Sequence, residues 1–169
     1  MFDWSIIRPQ DVEIAKRYLG DLTREPDLKI SPLGEVYLYR WHIIPRNPDA
    51  NVYFHIQVAS DPERPLHDHP WDNQSVILAG GYQEIIRAAW GDPSHEVSVN
   101  RFPGDVITRR AADAHRLILP AWVKYSMTQF TTGPVVRDWG FYTGKGFIPF
   151  SYYIEERDGV STLKDPHHD

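Results

Sequence analysis

The chain has 169 residues, of which 41% are hydrophobic and 24% are charged, and this composition suits one folded domain rather than a disordered segment. The formal net charge of −5 argues against general nucleic-acid binding. The chain contains no cysteine, which excludes disulfides, thiolate metal ligands and cysteine nucleophiles.

Residues 9–22 have the pattern of a helix at the start of the chain. Pro9 suits a first helical turn, and Asp11 and Glu13 suit the positive end of the helix dipole. Apolar residues recur along one stripe, and Gly20 weakens the last turn. We therefore predict a short N-terminal helix.

After Pro32 the hydrophobic pattern changes to the period of two that is typical of strands. Turns rich in Pro, Gly, Asn and Asp separate the segments that have this pattern, which are 35–44, 51–60, 75–86, 96–103, 105–110, 115–120, 124–132 and 135–143. Their number and spacing predict an all-β fold, a single jelly-roll barrel, with residues 1–169 in one domain. We expect the polar end of the chain, about 160–169, to be disordered.

Three histidines stand out within the strand pattern. His67 and His69 are two residues apart, so their side chains point to the same side if they lie on a strand. His115 follows on a later predicted strand. Three imidazoles that converge in this way can bind a divalent metal ion.

These residues and their order resemble the two sequence motifs of the cupin superfamily. His67 and His69 precede a strand that ends in a glycine pair, and a Pro-Gly-Asp turn precedes His115. The resemblance covers about residues 52–130 and extends, through HDHPWD, GGYQE, PGD, AHRL and RDWGFYT, to a group of small bacterial and phage cupin proteins. It implies a double-stranded β-helix, a metal site inside the barrel and a homodimer.

The first cupin motif also places a carboxylate ligand a few residues after the histidine pair. In this chain Gln74 occupies that position, and Asp72 lies two residues before it. Either side chain can complete the coordination sphere, or the three histidines can bind the metal with water. A set of two histidines and one carboxylate favours Fe(II), whereas three histidines suit zinc as well. We expect a divalent metal ion, with Fe(II) favoured and Zn, Mn or Ni as alternatives.

Several other residues are candidates for the pocket. Tyr82 and Glu84 share one strand face, and so do His55 and Gln57. If these faces point into the barrel, Glu84 or Tyr82 can act as a general acid or base, with burial raising the pKa of Glu84, and His55 and Gln57 can contact the substrate. Trp71, beside the histidine pair, is a candidate platform for the substrate.

Charge is distributed unevenly along the chain. Residues 60–99 contain seven acidic side chains and two arginines, whereas residues 100–145 contain seven basic side chains and three acids. Arg101, Arg109 and Arg110 belong to the basic segment and can bind a substrate carboxylate or phosphate by forked hydrogen bonds. The alternative is that they form a solvated basic surface.

Three functions are consistent with these features. The first is a metal-dependent enzyme, an oxidoreductase of the Fe(II) dioxygenase type that acts on a small, anionic organic molecule, with an isomerase or lyase as variants. The second is a non-catalytic module that binds or senses a small molecule. The third is a metal-free cupin that resembles sugar-nucleotide isomerases, in which a histidine acts as base. The fold alone does not choose among them.

The cellular setting is also an expectation from the sequence. The N-terminus lacks the pattern of a signal peptide, and no apolar run is long enough to cross a membrane. Together with the absence of cysteine, these features predict a cytoplasmic protein whose partner is a small-molecule substrate, without a nucleic acid or a membrane.

Overall fold

The computed structural model describes residues 2–31, 35–61, 65–87, 95–144, 146–152, 154–157 and 160–163. A 3₁₀ turn at Trp4–Ile6 precedes helix α1 at Pro9–Leu19, which confirms the predicted N-terminal helix. The helix ends three residues earlier than predicted, because Gly20 adopts a left-handed backbone conformation with φ 70°. Within the described ranges, no helix combines the length and the apolar character that crossing a membrane requires.

The remaining elements are short strands and one further 3₁₀ turn, Phe150–Tyr152. The strands of the described residues are β1 (Leu28–Ile30), β2 (Leu38–His42), β3 (Asn51–Gln57), β4 (Leu66–His67), β5 (Asn73–Ala79), β6 (Tyr82–Arg87), β7 (Glu96–Arg101), β8 (Val106–Arg109), β9 (His115–Ile118), β10 (Ser126–Thr132), β11 (Gly140–Thr143), β12 (Gly146–Pro149), β13 (Ile154–Arg157) and β14 (Val160–Leu163).

These strands form two sheets. Sheet A has the order β13-β14-β1-β2-β3-β10-β5-β8, and sheet B has the order β12-β11-β4-β9-β6-β7. From β3 to β11 the chain passes repeatedly between the two sheets, and neighbouring strands along this stretch pair antiparallel. This is the jelly-roll topology that the strand pattern predicts.

All eight predicted segments contain strands, and the segment 75–86 contains both β5 and β6. The sequence pattern misses β1, β4, β12, β13 and β14, because strands of two to four residues are too short to show a clear period of two. We expected the disordered tail to begin at about residue 160, which is too early. Residues 160–163 form β14, which pairs with β1 and β13, and residues 164–169 lie outside the described residues.

A glycine pair forms the corner between β5 in sheet A and β6 in sheet B. Gly80 has φ 75°, and a Cβ atom there would collide with the carbonyl oxygen of Tyr125. At Gly81 a Cβ atom would lie 2.5 Å from the carbonyl oxygen of Arg101. The backbones therefore approach too closely for any side chain, and this corner directs the start of β6 into the second sheet.

Helix α1 and the segment before it cover the outer face of sheet A. Trp41 on β2, Phe54 and Ile56 on β3, and Met127 on β10 are fully buried beneath them. Tyr18 of the helix stacks on Phe54 with ring centroids 5.1 Å apart. Burial of each such side chain contributes roughly 1.5–3 kcal/mol, so this outer layer is the main apolar core of the described residues.

The opposite face of the same strands lines the interior of the barrel and is more polar. Side-chain alternation places Tyr53, His55 and Gln57 of β3 inside, and all three are buried. The register sets His55 beside Thr128 and Tyr53 beside Phe130 on β10. Strand β3 is therefore buried on both faces, with one face in the apolar core and the other in the cavity.

The corner provides a test of the fold. We expect Gly80→Ala to lower the free energy of unfolding by about 3 kcal/mol or more, because backbone strain and the collision with Tyr125 act together. Gly133→Ala is the matched control, since its Cβ atom would meet only the Asp72 carbonyl oxygen at 3.7 Å, and it should change stability by less than about 1 kcal/mol. Urea denaturation measures both, and equal losses would contradict the role of the corner.

Candidate metal centre

Strand pairing brings the three predicted histidines together. His67 lies on β4 directly opposite His115 on β9. His69 follows His67 by two residues, and its backbone amide donates to the Ala111 carbonyl oxygen at 3.0 Å. The three rings lie close to one another, with centroids 5.1 to 5.3 Å apart. The structure therefore assembles residues that are 46 positions apart in the sequence.

The donor atoms of these histidines fit one metal ion. Each residue offers one ring nitrogen, and the three atoms all lie within 4.8 Å of one another. The Nε2 atoms of His69 and His115 are 3.0 Å apart. Two ligands that bind one ion at about 2.0–2.2 Å are separated by roughly 3 Å when they lie at a right angle. The spacing of this pair thus matches two neighbouring positions of a coordination sphere.

The protonation of the site also favours metal binding. Burial, and then the neighbouring charges of His115 and His67, lower the pKa of His69 well below its ordinary value of 6.5. Burial and the charge of Arg109 lower the pKa of His115, and the carboxylate of Glu84 partly opposes this effect. Both imidazoles are therefore neutral at pH 7 and carry the lone pairs that a metal ion requires.

Glu84 orients His115. The carboxylate Oε1 atom lies 2.7 Å from His115 Nδ1, so the imidazole donates its Nδ1 proton to Glu84 and keeps the Nε2 lone pair for a ligand. This second function of the glutamate was not predicted from the sequence. A carboxylate that holds a histidine in this way fixes both its tautomer and the direction of its ring.

The prediction that burial raises the pKa of Glu84 is wrong, whereas its role as a general acid or base stays a prediction. Arg101 Nε donates to Oε2 at 2.7 Å, and Arg109 Nε donates to Oε1 at 2.7 Å. Burial alone would raise the pKa of Glu84, but the hydrogen bond from His115 and the charge of Arg109 outweigh it and lower the pKa to about 2. Glu84 is therefore a permanently charged, fully buried anion at neutral pH.

The predicted fourth ligands do not join the histidines. Asp72 is exposed, and its Oδ1 atom accepts the backbone amide of Ala111 at 2.7 Å. Gln74 is also exposed, because Asn73 and Ser75 on either side of it take the inward positions of β5. Its amide donates to Thr108 Oγ1 at 3.3 Å. Both assignments are wrong, and among the described residues the donor set consists of the three histidines.

The predicted anion-binding arginines are also placed differently. Arg109 is buried, and Arg101 is largely buried, because both pair with Glu84. The single carboxylate of Glu84 thus compensates one of their two positive charges inside the protein. Arg110 is exposed and does not line the cavity around the histidines. Arg101 and Arg109 thus form buried ion pairs rather than a solvated basic surface, and both line a further cavity of about 320 Å³. The binding of a substrate anion by these arginines stays a prediction.

A cavity of about 90 Å³ lies beside the histidines. It is lined by the three histidines and by the predicted pocket residues His55, Gln57 and Tyr82. Burial raises the pKa of Tyr82, so its hydroxyl stays protonated at neutral pH. Arg40 and Asp61 line the same cavity, although neither was singled out from the sequence.

Aromatic rings form the wall on the other side of His69. Trp71 stacks on the imidazole with centroids 4.9 Å apart and an interplanar angle of 12°. Trp139 lies nearly parallel to the same ring at 6.3 Å. Trp71 also lines a second cavity of about 360 Å³, next to Tyr53 and Arg46. Trp71, the predicted substrate platform, thus packs against the candidate ligand His69 at the edge of the larger cavity.

Asp68 lies between the two ligand histidines in sequence and points away from them. It is fully buried, and it accepts hydrogen bonds from the Gly140 amide and the Tyr142 hydroxyl, each at 2.8 Å. Arg137 donates a further hydrogen bond to its carboxylate. These contacts tie the end of β4 to β11 and fix the backbone that carries His67 and His69.

No protein-family profile matches the chain, and neither does any curated protein. Among solved structures, iron(II)-containing HppE in complex with its substrate aligns with a TM-score of 0.51 and 14% identity over 67% of this chain and 60% of that one. An RmlC-like cupin protein from Desulfovibrio desulfuricans aligns with a TM-score of 0.43 and 14% identity, over 59% of this chain and 84% of that one.

A conserved protein with a double-stranded β-helix domain from Klebsiella pneumoniae aligns with a TM-score of 0.47 and 12% identity, over 75% of this chain and 91% of that one. At such low identities the similarity shows the fold alone. The fold is a double-stranded β-helix, as the resemblance in sequence implies, and the solved structures that share it include cupin proteins.

The charge on Glu84 gives the fold a specific dependence on pH. Because the folded pKa of about 2 lies below the ordinary value of 4.5, the carboxylate stabilises the fold above about pH 4.5. As the pH falls towards 2, the unfolded chain gains a proton that the folded chain resists, and a stabilisation on the order of 3 kcal/mol is lost.

We expect Glu84→Gln to lower the free energy of unfolding at pH 7 by roughly 3–5 kcal/mol, because it leaves Arg101 and Arg109 without their counter-charge. The difference between wild type and variant should shrink below pH 4.5. Urea denaturation at several pH values measures this. The control is Glu96→Gln, an exposed partner of Arg116 at 3.5 Å, which should cost less than about 1 kcal/mol. A difference that does not change with pH would contradict the assignment.

Proposed function

We propose that this protein is a metal-dependent enzyme whose ion is bound by His67, His69 and His115. The observation that carries the proposal is the convergence of three imidazole donors within 4.8 Å, with the Nδ1 atom of His115 held by a buried carboxylate. A carboxylate on the far nitrogen is the partner that fixes the tautomer and ring direction of a metal-binding histidine, and such histidines nearly always have one.

Fe(II) is our first candidate for the ion. Imidazole donors suit iron, zinc and nickel, and the donor set that the described residues provide contains no carboxylate, which disfavours hard ions such as Mg²⁺. The similar fold of HppE contains iron(II), which supports iron as the first metal to test. A divalent ion bound here would supply Lewis acidity and, in the case of iron, redox chemistry with dioxygen.

The side chains around the ion have separate tasks in this proposal. Glu84 holds the Nδ1 proton of His115 and keeps the ring in place. The protonated hydroxyl of Tyr82 can donate a hydrogen bond to a substrate oxygen in the cavity. Phe130 and Leu117 supply apolar wall and limit the access of water. The cavity of about 90 Å³ restricts the substrate to a small organic molecule.

A metal-free acid–base enzyme is the second candidate, and the pair of His115 and Glu84 favours it. A histidine beside a buried carboxylate is a common general base. The cavity of about 90 Å³ beside the three histidines is small for a sugar nucleotide, because pockets for drug-sized ligands typically measure about 300–1,000 Å³. The cavity of about 320 Å³, which His115 and Glu84 also line, falls within that range. The Nε2 atoms of His69 and His115 also lie close together. This arrangement suits a metal ion bound by both histidines better than it suits removal of a substrate proton by His115.

Metal analysis tests the proposal directly. We expect protein purified without chelator and without nickel affinity to contain about one divalent ion per chain, measured by inductively coupled plasma mass spectrometry. His69→Ala should lose most of this metal, because it removes one of three donors. His95→Ala is the control, since it removes an exposed histidine outside the site and should retain the metal.

The role of Glu84 and the reaction are tested separately. Glu84→Gln should weaken metal affinity by about 10- to 100-fold, the range for loss of a carboxylate that orients a ligand histidine. Oxygen consumption by the iron-loaded protein with a panel of small organic acids then distinguishes an oxygenase from a module that binds without turnover. Metal retained equally by His69→Ala and His95→Ala would overturn the metal centre.

A further inference from the structure

Arg40 lines the cavity beside the histidines. Arg40 lies on β2, directly opposite His55 on β3, and it is half-buried. Side-chain alternation places its neighbours Tyr39 and Trp41 in the apolar layer beneath helix α1, so Arg40 points to the interior of the barrel. It lines the same cavity as the three candidate ligands.

The position of Arg40 is fixed by aromatic neighbours. Its Nε atom donates to His55 Nε2 at 2.9 Å, and its guanidinium carbon lies 4.6 Å from the centroid of the Tyr53 ring. His55 in turn lies nearly parallel to the rings of Tyr53 and Phe130, with centroids 5.9 and 5.3 Å away.

The charges in the cavity do not cancel once an ion is bound. The three ligands are imidazoles, so they leave the charge of a divalent ion uncompensated. Arg40 adds a further positive charge, and among the described lining residues the one carboxylate is Asp61. The Oδ2 atom of Asp61 accepts the Leu117 amide at 2.8 Å. The metal-loaded cavity therefore has a net positive charge and attracts an anion.

We propose that the substrate is a small organic anion that reaches from the metal ion to Arg40. Its carboxylate, or an oxyanion of similar shape, lies at the guanidinium, and a second oxygen faces the three histidines. This inference rests on the proposed metal centre and names the chemical class of its substrate. It also replaces Arg101, Arg109 and Arg110 with Arg40 as the residue that recognises negative charge.

Two small probes isolate the contribution of charge. Glycolate and 1,2-ethanediol have nearly the same size and share a hydroxyl group, but only glycolate carries a carboxylate. Titration calorimetry with the zinc-loaded protein measures their affinities without any turnover, because zinc is redox-inactive. We expect glycolate to bind the zinc-loaded wild type at least tenfold more tightly than 1,2-ethanediol, and more tightly than it binds the metal-free protein.

Substitution of Arg40 then tests the recognition itself. Arg40→Gln should weaken glycolate binding by about 10- to 100-fold, the effect of removing a hydrogen bond to a charged group, and should still bind zinc stoichiometrically. Arg40→Lys should recover part of the affinity, because it restores the charge without the planar fork. Arg110→Gln is the matched control, since it removes an exposed arginine outside the cavity, and it should leave the affinity unchanged.

The outcomes separate the two proposals. Equal affinity of the zinc-loaded wild type for glycolate and 1,2-ethanediol would overturn the anionic substrate while leaving the metal centre intact. Equal glycolate affinity of Arg40→Gln and Arg110→Gln would overturn the role of Arg40. Failure of the wild type to bind zinc would overturn the metal centre, and this inference would fall with it. Thermal denaturation of each variant verifies that a loss of binding does not come from a loss of fold.

Discussion

A carboxylate buried inside a barrel requires positive partners, and Glu84 has two arginines together with a third hydrogen-bond donor, the neutral His115. Arg101 on β7 and His115 on β9 belong to the same sheet as Glu84, whereas Arg109 on β8 belongs to the opposite sheet. One charge therefore joins four strands and both layers of the barrel. Because the same carboxylate fixes the tautomer of His115, the assembly of the barrel and the readiness of the metal ligand depend on a single balance of charges.

The two faces of sheet A divide stability and chemistry between them. The outer face packs aromatic and aliphatic side chains beneath helix α1, where burial contributes most of the apolar stabilisation. The inner face carries Arg40, His55 and Thr128, whose polar groups gain less from burial. The N-terminal helix thus offsets the cost of a polar interior, and it does so without occupying the cavity.

The sequence predicts those features of the structure that depend on residues close together in the chain. The period of two identifies eight strand segments, and the spacing of His67 and His69 identifies the ligand pair. The errors concern pairings between distant strands. Asp72 follows a proline turn, and the hydrophobic pattern does not show to which side of the strand this turn directs the side chain. The partners of Glu84 lie 17 to 31 residues away in the sequence. Arg40 could have been predicted from the sequence. It lies between two aromatic residues of a strand, and these two face the outer apolar layer, so the residue between them points into the barrel.

The contacts of Asp68 hold His67 and His69 in place in the metal-free protein. Because it anchors the backbone between the two histidines from behind, the ligands are held in place by hydrogen bonds that no ion takes part in. The conformational entropy of arranging the donors is then lost during folding rather than during metal capture. An ion that arrives meets a rigid site, and one that leaves does not unravel it. In the proposed metal centre an ion would therefore exchange reversibly, and its identity would follow the supply of metals as much as the shape of the site.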